Sequence, residues 1–255
     1  MSALLEVDGL NVRYGGVHAV SDVSLRVQEG AVVGLIGPNG AGKTSMIDAL
    51  TGYHRPSGGE IRFAGEDITG LRPYVRARRG LARTFQSIEL FDDLSVEENL
   101  LAASDDIGVL RALVELLVAG THARGGTDWA LSVCGLNDVA HRSPKDLPHG
   151  RRKLVGVARA LARRPRLVLM DEPAAGLDTS ETEVLGTHLR ALPEQGVTVL
   201  LIDHDMGLVL NVCDYVFVLD FGRLIAEGTP AEIRANSAVI SAYLGGQKES
   251  GDGDR

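Results

Sequence analysis

The sequence predicts an α/β fold in which a mostly parallel sheet is flanked by helices, with an antiparallel β subdomain before it and a helical insertion within it. First, residues 37–45 form a glycine-rich loop directly after an apolar run, Val32 to Ile36, that is typical of a buried strand. Second, strand-like and helix-like segments alternate again from Leu167 onward. Third, the region between them has apolar residues at helical spacing.

The N-terminal region predicts antiparallel strands. Leu4 to Tyr14 and Val20 to Val27 alternate apolar and polar side chains, and the turn residues Gly15-Gly16 and Glu29-Gly30 follow them. Ile61 to Ala64 predicts a further short strand. We expect these strands to lead into the strand before the glycine loop.

The middle third predicts a helical subdomain. Val96 to Ala103 and Val109 to Ala119 both have the helical period. The second segment has an apolar stripe of Leu110, Leu113, Val114 and Leu117. We interpret the stripe as ordinary core rather than as a membrane-lying helix, because the opposite face lacks the lysines and arginines of such helices.

The last third returns to the α/β pattern. The predicted elements are a strand at Leu167 to Met170, a helix at Thr179 to Leu192, a strand at Val197 to Ile202, a helix at Met206 to Cys213 and a strand at Val216 to Leu219. A helix is also expected at Arg152 to Arg163, before this region. The predicted division is a split core of residues 1–86 and 164–244, an insertion of residues 87–163, and a polar, glycine-rich tail of residues 245–255.

Composition narrows the class of protein. The 255 residues are 44% hydrophobic, which is an ordinary globular composition. Apolar runs are of strand length, well short of the ~20 residues that cross a bilayer. The N-terminus does not resemble a signal peptide, and two cysteines, Cys134 and Cys213, give no disulfide framework, so we expect a cytoplasmic protein. A net charge of −8 argues against nucleic acid as a partner.

The glycine loop predicts a nucleoside triphosphate site. Backbone N–H groups must converge on a polyphosphate, and Gly37, Gly40 and Gly42 remove the Cβ atoms that would block this approach. A helix beginning near Lys43 adds a favourable dipole, Lys43 a point charge, and Thr44 a hydroxyl for Mg²⁺. The alternative is a glycine-rich turn that fits the template by accident. The candidate residues are Gly37, Pro38, Asn39, Gly40, Ala41, Gly42, Lys43, Thr44 and Ser45.

Acidic residues and a histidine follow two other predicted strands. Asp171 and Glu172 stand at the carboxyl end of one, where open α/β sheets bind ligands. Asp171 is placed to hold Mg²⁺ and Glu172 to accept a proton from an attacking water. The alternative is that both are solvated acids with a helix-capping role. The presence of the glycine loop in the same sequence favours the catalytic interpretation. His204 ends the next strand, and Gln86 joins core to insertion; each is a weak signal alone.

The order and spacing of these motifs resemble those of ABC transporter ATP-binding subunits, over nearly the whole chain. The matching segments are residues 37–45, Gln86, residues 147–151, Asp171-Glu172, residues 175–178 and His204. Within that family, residues 82–86 with Leu90-Phe91, residues 171–177 and residues 239–245 resemble the branched-chain amino acid importer branch.

The resemblance implies roles for matching positions. Tyr14 would stack on adenine, although a strand tyrosine with one wet edge explains it equally well without the family. Thr44, Asp171 and Gln86 would hold Mg²⁺, Glu172 would be the general base, and His204 would sense the γ-phosphate. Leu147, Gly150 and Asp178 would contact the ATP of a second ATPase subunit. Such subunits work as pairs at the inner face of the cell membrane, with permease subunits and, in importers, a solute-binding protein.

One motif departs from the family pattern. Where the signature reads Leu-Ser-Gly-Gly-Gln, this chain has Leu147-Pro148-His149-Gly150-Arg151. Pro148 removes a hydroxyl and a backbone N–H that would face the partner's γ-phosphate, and His149 adds a donor that substitutes in part. Our hypothesis is that this chain gives a weakened signature to its partner and keeps a complete phosphate loop of its own.

An arginine cluster precedes the insertion. We interpret it as a solvated helix face, with a surface near anionic lipid or the membrane partner as the alternative. Its members are Arg72, Arg76, Arg78, Arg79 and Arg83.

Three other functions compete with ATP-driven import of branched-chain or other hydrophobic amino acids. An ATPase subunit for lipid, lipopolysaccharide or another solute has the same fold. A soluble ABC protein acting on DNA or ribosomes carries long coiled-coil insertions or tandem ATPase domains, which a chain of this length does not hold. A P-loop kinase or GTPase gives no role to Gly150 or His204.

Overall fold

The computed structural model describes residues 3–84, 89–104 and 121–245, and these residues form two sheets and nine helices longer than one turn. The strands are β1 (Ala3–Tyr14), β2 (Val17–Gln28), β3 (Val32–Ile36), β4 (Gly58–Phe63), β5 (Glu66–Asp67), β6 (Leu81–Arg83), β7 (Leu167–Asp171), β8 (Thr198–Ile202), β9 (Tyr215–Asp220) and β10 (Arg223–Gly228). The helices are α1 (Lys43–Thr51), α2 (Pro73–Arg78), α3 (Val96–Ser104), α4 (Thr121–Val133), α5 (His149–Leu161), α6 (Thr179–Ala191), α7 (Met206–Val212), α8 (Pro230–Ala235) and α9 (Ser237–Gly245).

The N-terminal sheet is antiparallel, as predicted. Its strand order is β2-β1-β4-β5, and β1 pairs with both β2 and β4. Side chains along β2 alternate between buried and exposed positions, because successive residues of a strand point to opposite faces. One face of this sheet is therefore available to cover the core.

The larger sheet has the order β10-β9-β3-β8-β7-β6. All neighbours are parallel except β10, which runs antiparallel to β9 at one edge. Every residue of β3, β7 and β8 is buried, as expected for strands covered on both faces. The prediction of a mostly parallel sheet is confirmed, and it places the glycine loop after the central strand β3.

The two faces of this sheet pack into different cores. On one face, Val33, Leu35 and Leu169 join the side chains of α1 and of the antiparallel sheet. On the other face, Ile36 and Met170 join the helices of the middle and C-terminal regions. Because strand side chains alternate in direction, each face of the sheet has its own apolar layer. The loops at the carboxyl edge follow the strands that lie between these two layers.

Most predicted elements are present with small shifts in their bounds. The largest shifts are at the starts of β2, β4 and α5, each of which begins three residues earlier than predicted. The strands β5, β6 and β10 and the helices α4, α8 and α9 were not predicted. The predicted helix Val109 to Ala119 and most of the predicted tail lie outside the described residues, as does Gln86.

The interpretation of the arginine cluster as a solvated face is wrong for Arg76. Its side chain is 1% exposed, and its guanidinium donates to the carbonyl oxygens of Ala49 and Leu50, each at 2.7 Å. It also donates to the carbonyl oxygens of Thr69 at 2.9 Å and Leu71 at 3.0 Å. Burial lowers the pKa of Arg76 to about 10. Arg76 therefore joins α2 to the carbonyl end of α1, where a cation is favoured by the helix dipole.

None of the described helices combines the length and the apolar character that crossing a membrane requires.

Candidate functional site

The glycine loop connects β3 to α1 at the carboxyl edge of the large sheet. A Cβ at Gly37 would collide with the carbonyl oxygen of Leu219, and a Cβ at Gly42 would collide with that of Ala19. Gly42 also has a φ of 100°, in the left-handed region that favours glycine. Neighbouring strands therefore press directly against this loop, and glycine is required for the backbone to fit.

Lys43 is the first residue of α1 and lies inside the loop. Its side chain is 7% exposed, and its ammonium donates to the carbonyl oxygens of Gly37 at 2.7 Å and Pro38 at 3.0 Å. Burial lowers the pKa of Lys43, while the charges of Glu172 and Asp171 act in the opposite direction. The loop thus holds a buried cation at the N-terminus of a helix, an arrangement that favours phosphate.

Of the two predicted carboxylates, Asp171 is the last residue of β7 and Glu172 is the first residue of the loop after it. Asp171 is buried, and desolvation raises its pKa although Arg83 acts to lower it. Glu172 has a φ of 48°, in the left-handed region, and its N–H donates to the carbonyl oxygen of Ile202 at 2.7 Å. A non-glycine residue in this conformation costs of order 1 kcal/mol and is concentrated at functional sites.

The prediction that Arg83 lies on a solvated face is wrong. Arg83 ends β6, and its side chain is only 11% exposed. Its guanidinium contacts Asp171 Oδ2 at 3.1 Å and Asp48 Oδ1 at 2.6 Å. Because Asp48 belongs to α1, Arg83 joins the helix of the glycine loop to the carboxylate at the end of β7.

His204 lies at the end of β8, beside the end of β7, as predicted. Its Nδ1 is 4.0 Å from Glu172 Oε1 and 3.6 Å from Asp203 Oδ1, and its side chain is 60% exposed. Asp203 is completely buried and accepts hydrogen bonds from the N–H groups of Ala174 and Asp205. This carboxylate therefore fixes the loop after Glu172 relative to the loop that carries His204.

Tyr14 ends β1 with 44% of its surface exposed. Its ring centroid lies 4.4 Å from that of His54, with 40° between the ring planes. The pair gives an exposed aromatic surface at one end of the antiparallel sheet. The contact of His54 with Tyr14 was not predicted, since no spacing in the sequence joins residues 40 positions apart.

The signature segment and the loop of residues 175–178 lie together. Leu147 and Gly150 are buried, Asp178 is exposed, and the N–H of Gly150 donates to Glu181 Oε1 at 3.0 Å. Across the described ranges, no hydrogen bond joins residues 147–151 to residues 37–45. The structure therefore brings Lys43, Asp171, Glu172 and His204 to one sheet edge and places the signature segment in a separate group.

Within the described residues, no group of three or more histidine, cysteine or acidic side chains is placed to hold a metal ion. Among the described residues, the predicted metal ligands at the carboxyl edge are the Asp171 carboxylate and the Thr44 hydroxyl.

The buried lysine can hold the phosphates of a nucleotide, and the carboxylates beside it can serve hydrolysis. Fold and site together define the class of P-loop nucleoside triphosphatases. Comparisons with known proteins narrow this class. The ABC transporter family profile matches residues 20–175, and a profile described as branched-chain amino acid ATP-binding cassette transporter matches residues 223–249. The chain belongs to the ABC transporter family of ATP-binding proteins, in its branched-chain amino acid branch.

Individual proteins agree with this assignment. The chain is 43% identical, over 95% of its length and 98% of the relative's, to the high-affinity branched-chain amino acid transport ATP-binding protein BraF of Pseudomonas aeruginosa. A solved structure, the ADP conformation of MJ1267, an ATP-binding cassette of an ABC transporter, aligns with a TM-score of 0.86 at 29% identity, covering 96% and 100% of the two chains. The dimeric structure of MJ0796, a bacterial ABC transporter cassette, aligns at 0.73 and 25%, covering 89% and 98%. The predicted resemblance is confirmed.

Proposed function

We propose that this ATP-binding subunit hydrolyses ATP to drive import of branched-chain or other hydrophobic amino acids. The relative BraF is named for branched-chain amino acid transport, and the C-terminal profile carries the same description. The main support for hydrolysis is the position of Glu172. Its backbone is held in the left-handed region, and its carboxylate lies beside His204 and next to the buried Asp171.

Mg²⁺ fits the residues at this edge. Asp171 supplies a buried carboxylate, and Thr44, an exposed residue in the first turn of α1, supplies a hydroxyl. These hard oxygen ligands, few in number, suit a cation that keeps waters and takes its remaining ligands from phosphates. When bound, Mg²⁺ neutralises charge on the β- and γ-phosphates. Gln86 stays a predicted third ligand.

The proposed roles of the chain's own residues follow from their placement. The glycine loop binds the phosphates through its N–H groups and Lys43, while Tyr14 stacks on the adenine. The Glu172 carboxylate accepts a proton from the attacking water. His204, 4.0 Å from Glu172, donates a hydrogen bond to the γ-phosphate.

A second ATPase subunit completes the site. Leu147, Gly150 and Asp178 form a group of their own in the single chain, so we propose that they contact the ATP held by the partner. The dimeric cassette to which this chain is similar supports such a pair. Whether the partner is a second copy or a different chain, each glycine loop would supply one half of a shared site.

The remaining partners follow from the proposed transport. Permease subunits would carry the solute across the membrane, and a solute-binding protein would deliver it. The ATPase would then lie at the inner face of the cell membrane without entering the bilayer. Nucleic acid has no place in this function.

Transport in proteoliposomes tests the proposal. The chain is purified with its native permease and ATPase partners, reconstituted, and supplied with solute-binding protein and labelled leucine. We expect ATP-dependent movement of leucine from the side of the solute-binding protein into the compartment that holds the ATPase, and its loss with Lys43→Ala. A complex that hydrolyses ATP without leucine uptake, or that moves only lipid, would contradict import of amino acids.

A further inference from the structure

The signature helix has no cap from its own segment. The helix α5 begins at His149 after Pro148, and Pro148 offers no side-chain hydrogen bond to the first turn. The first N–H groups of a helix lack partners within the helix and require them from elsewhere. In most helices a serine, threonine, asparagine or aspartate supplies one. This helix must therefore obtain its partner from another part of the fold.

Glu181 supplies that partner from the next helix. Its Oε1 accepts the N–H of Gly150 at 3.0 Å, across 31 residues of sequence. The carboxylate lies so close to the backbone that a Cβ added at Gly150 would be only 2.5 Å from the same oxygen. A carboxylate at this position also suits the positive end of the α5 dipole. Glycine at 150 thus permits the approach of the Glu181 carboxylate.

The same carboxylate belongs to the capping box of α6. Its Oε2 accepts the N–H of Asp178 at 3.3 Å, while Asp178 Oδ1 accepts the N–H of Glu181 at 2.8 Å. One side chain therefore holds the first turns of two helices. The first carries the signature segment, and the second follows the loop of residues 175–178.

A second contact joins the same two segments. A Cβ at Gly176 would lie 3.3 Å from Nε2 of His149, so the imidazole rests against the backbone of the 175–178 loop. His149 stands where the family signature has glycine. The side chain that departs from the family pattern thus packs on the loop that Glu181 also holds.

We propose that Glu181 is a positioning residue that fixes the signature segment and residues 175–178 as one unit facing the partner's ATP. This inference rests on the proposed function, since it assigns both segments to the shared ATP site. The hydrogen bonds given for Glu181 join it to Gly150 and to Asp178. Its loss disturbs the geometry that this chain gives to its partner and leaves nucleotide binding at its own loop intact.

The test compares Glu181→Ala, Glu181→Asp and Glu181→Gln in the intact transporter complex. Glutamine keeps one oxygen that can accept the Gly150 N–H, but its NH2 group cannot accept the N–H of Asp178. Aspartate keeps the charge and is one methylene too short. We expect kcat for ATP hydrolysis to fall about tenfold or more in the alanine and aspartate variants, because the signature segment is then displaced from the partner's ATP. The KM for ATP should change less than about twofold. Glutamine should restore part of kcat, because it keeps the bond to Gly150 and loses the one to Asp178. The matched control is Glu183→Ala, an exposed carboxylate on the same helix, which should leave kcat unchanged.

Amide hydrogen exchange supplies a readout independent of activity. In the absence of ATP, the Gly150 amide should exchange about tenfold faster in Glu181→Ala and Glu181→Asp, and at the wild-type rate in Glu181→Gln. Unchanged exchange in the alanine variant, or a loss of kcat in the glutamine variant equal to that in alanine, would overturn the proposal. A wild-type complex without ATPase activity would contradict the proposed function instead, and exchange at Gly150 would still decide the role of Glu181.

Discussion

The guanidinium of Arg83 contacts the carboxylate of Asp171 at 3.1 Å, inside the protein. The same guanidinium contacts Asp48 of α1 at 2.6 Å. One arginine thus connects the proposed Mg²⁺ ligand to the helix that follows the phosphate loop, and it offsets part of the cost of burying Asp171. Arg83 is therefore an ion-pair partner both of the helix after the phosphate loop and of the strand that carries Asp171.

Removing the Arg83 guanidinium should destabilise the chain. Arg83→Met leaves two carboxylates with little exposure and without their cation, so we expect the free energy of unfolding to fall by about 3 kcal/mol or more. Urea unfolding of the nucleotide-free protein measures it. The matched control is Arg79→Met, because Arg79 pairs with Glu66 at 3.0 Å on the surface and should cost under about 1 kcal/mol. Equal, small effects of both variants would refute the proposed importance of the Arg83 pairs.

The buried Lys43 should give the nucleotide-free protein a specific pH dependence. Burial lowers its pKa from the ordinary value of 10.5, so its contribution to stability is fully present above pH 10.5 and is lost as the pH falls through the lowered value. The free energy of unfolding of the wild type should therefore increase relative to that of Lys43→Met between pH 7 and pH 10. Urea unfolding at several pH values measures the difference. A difference that is constant or moves the other way shows that Lys43 is not desolvated in solution.

The non-consensus signature should limit turnover at the site that it completes. Changing Pro148-His149 to Ser-Gly restores a capping hydroxyl and a backbone N–H, so kcat of the complex should rise. Steady-state ATP hydrolysis with the native partners measures it. An unchanged or lower kcat would show that the departure from the family pattern does not weaken this segment.

The phosphate loop could be predicted from the sequence because its requirements are local. Gly37 and Gly42 are fixed by close backbone contacts, and Lys43 and Thr44 follow at set positions on the helix that begins there. The carboxylates and His204 could be placed at the same edge because parallel strands align their carboxyl ends. These parts of the site depend on patterns that a single chain displays.

The contacts of long side chains could not be predicted in the same way. Arg76 and Arg83 stand in a run of arginines that looks like a solvated face, and only the packing of α1 and β7 shows that both are buried. Glu181 fits the ordinary capping box of its own helix, which conceals its second contact with Gly150. Each of these contacts joins segments far apart in sequence.

The oligomeric state of Glu172→Gln with ATP tests the central claim most directly. If Glu172 is the general base of a site shared by two ATPase subunits, the variant should bind ATP, form a stable dimer with its native partner subunit, and hydrolyse ATP at least ~10²-fold more slowly than the wild type. Size-exclusion chromatography with light scattering, in ATP and in ADP, measures the dimer. Hydrolysis at the wild-type rate, or no ATP-dependent dimer, would contradict the account.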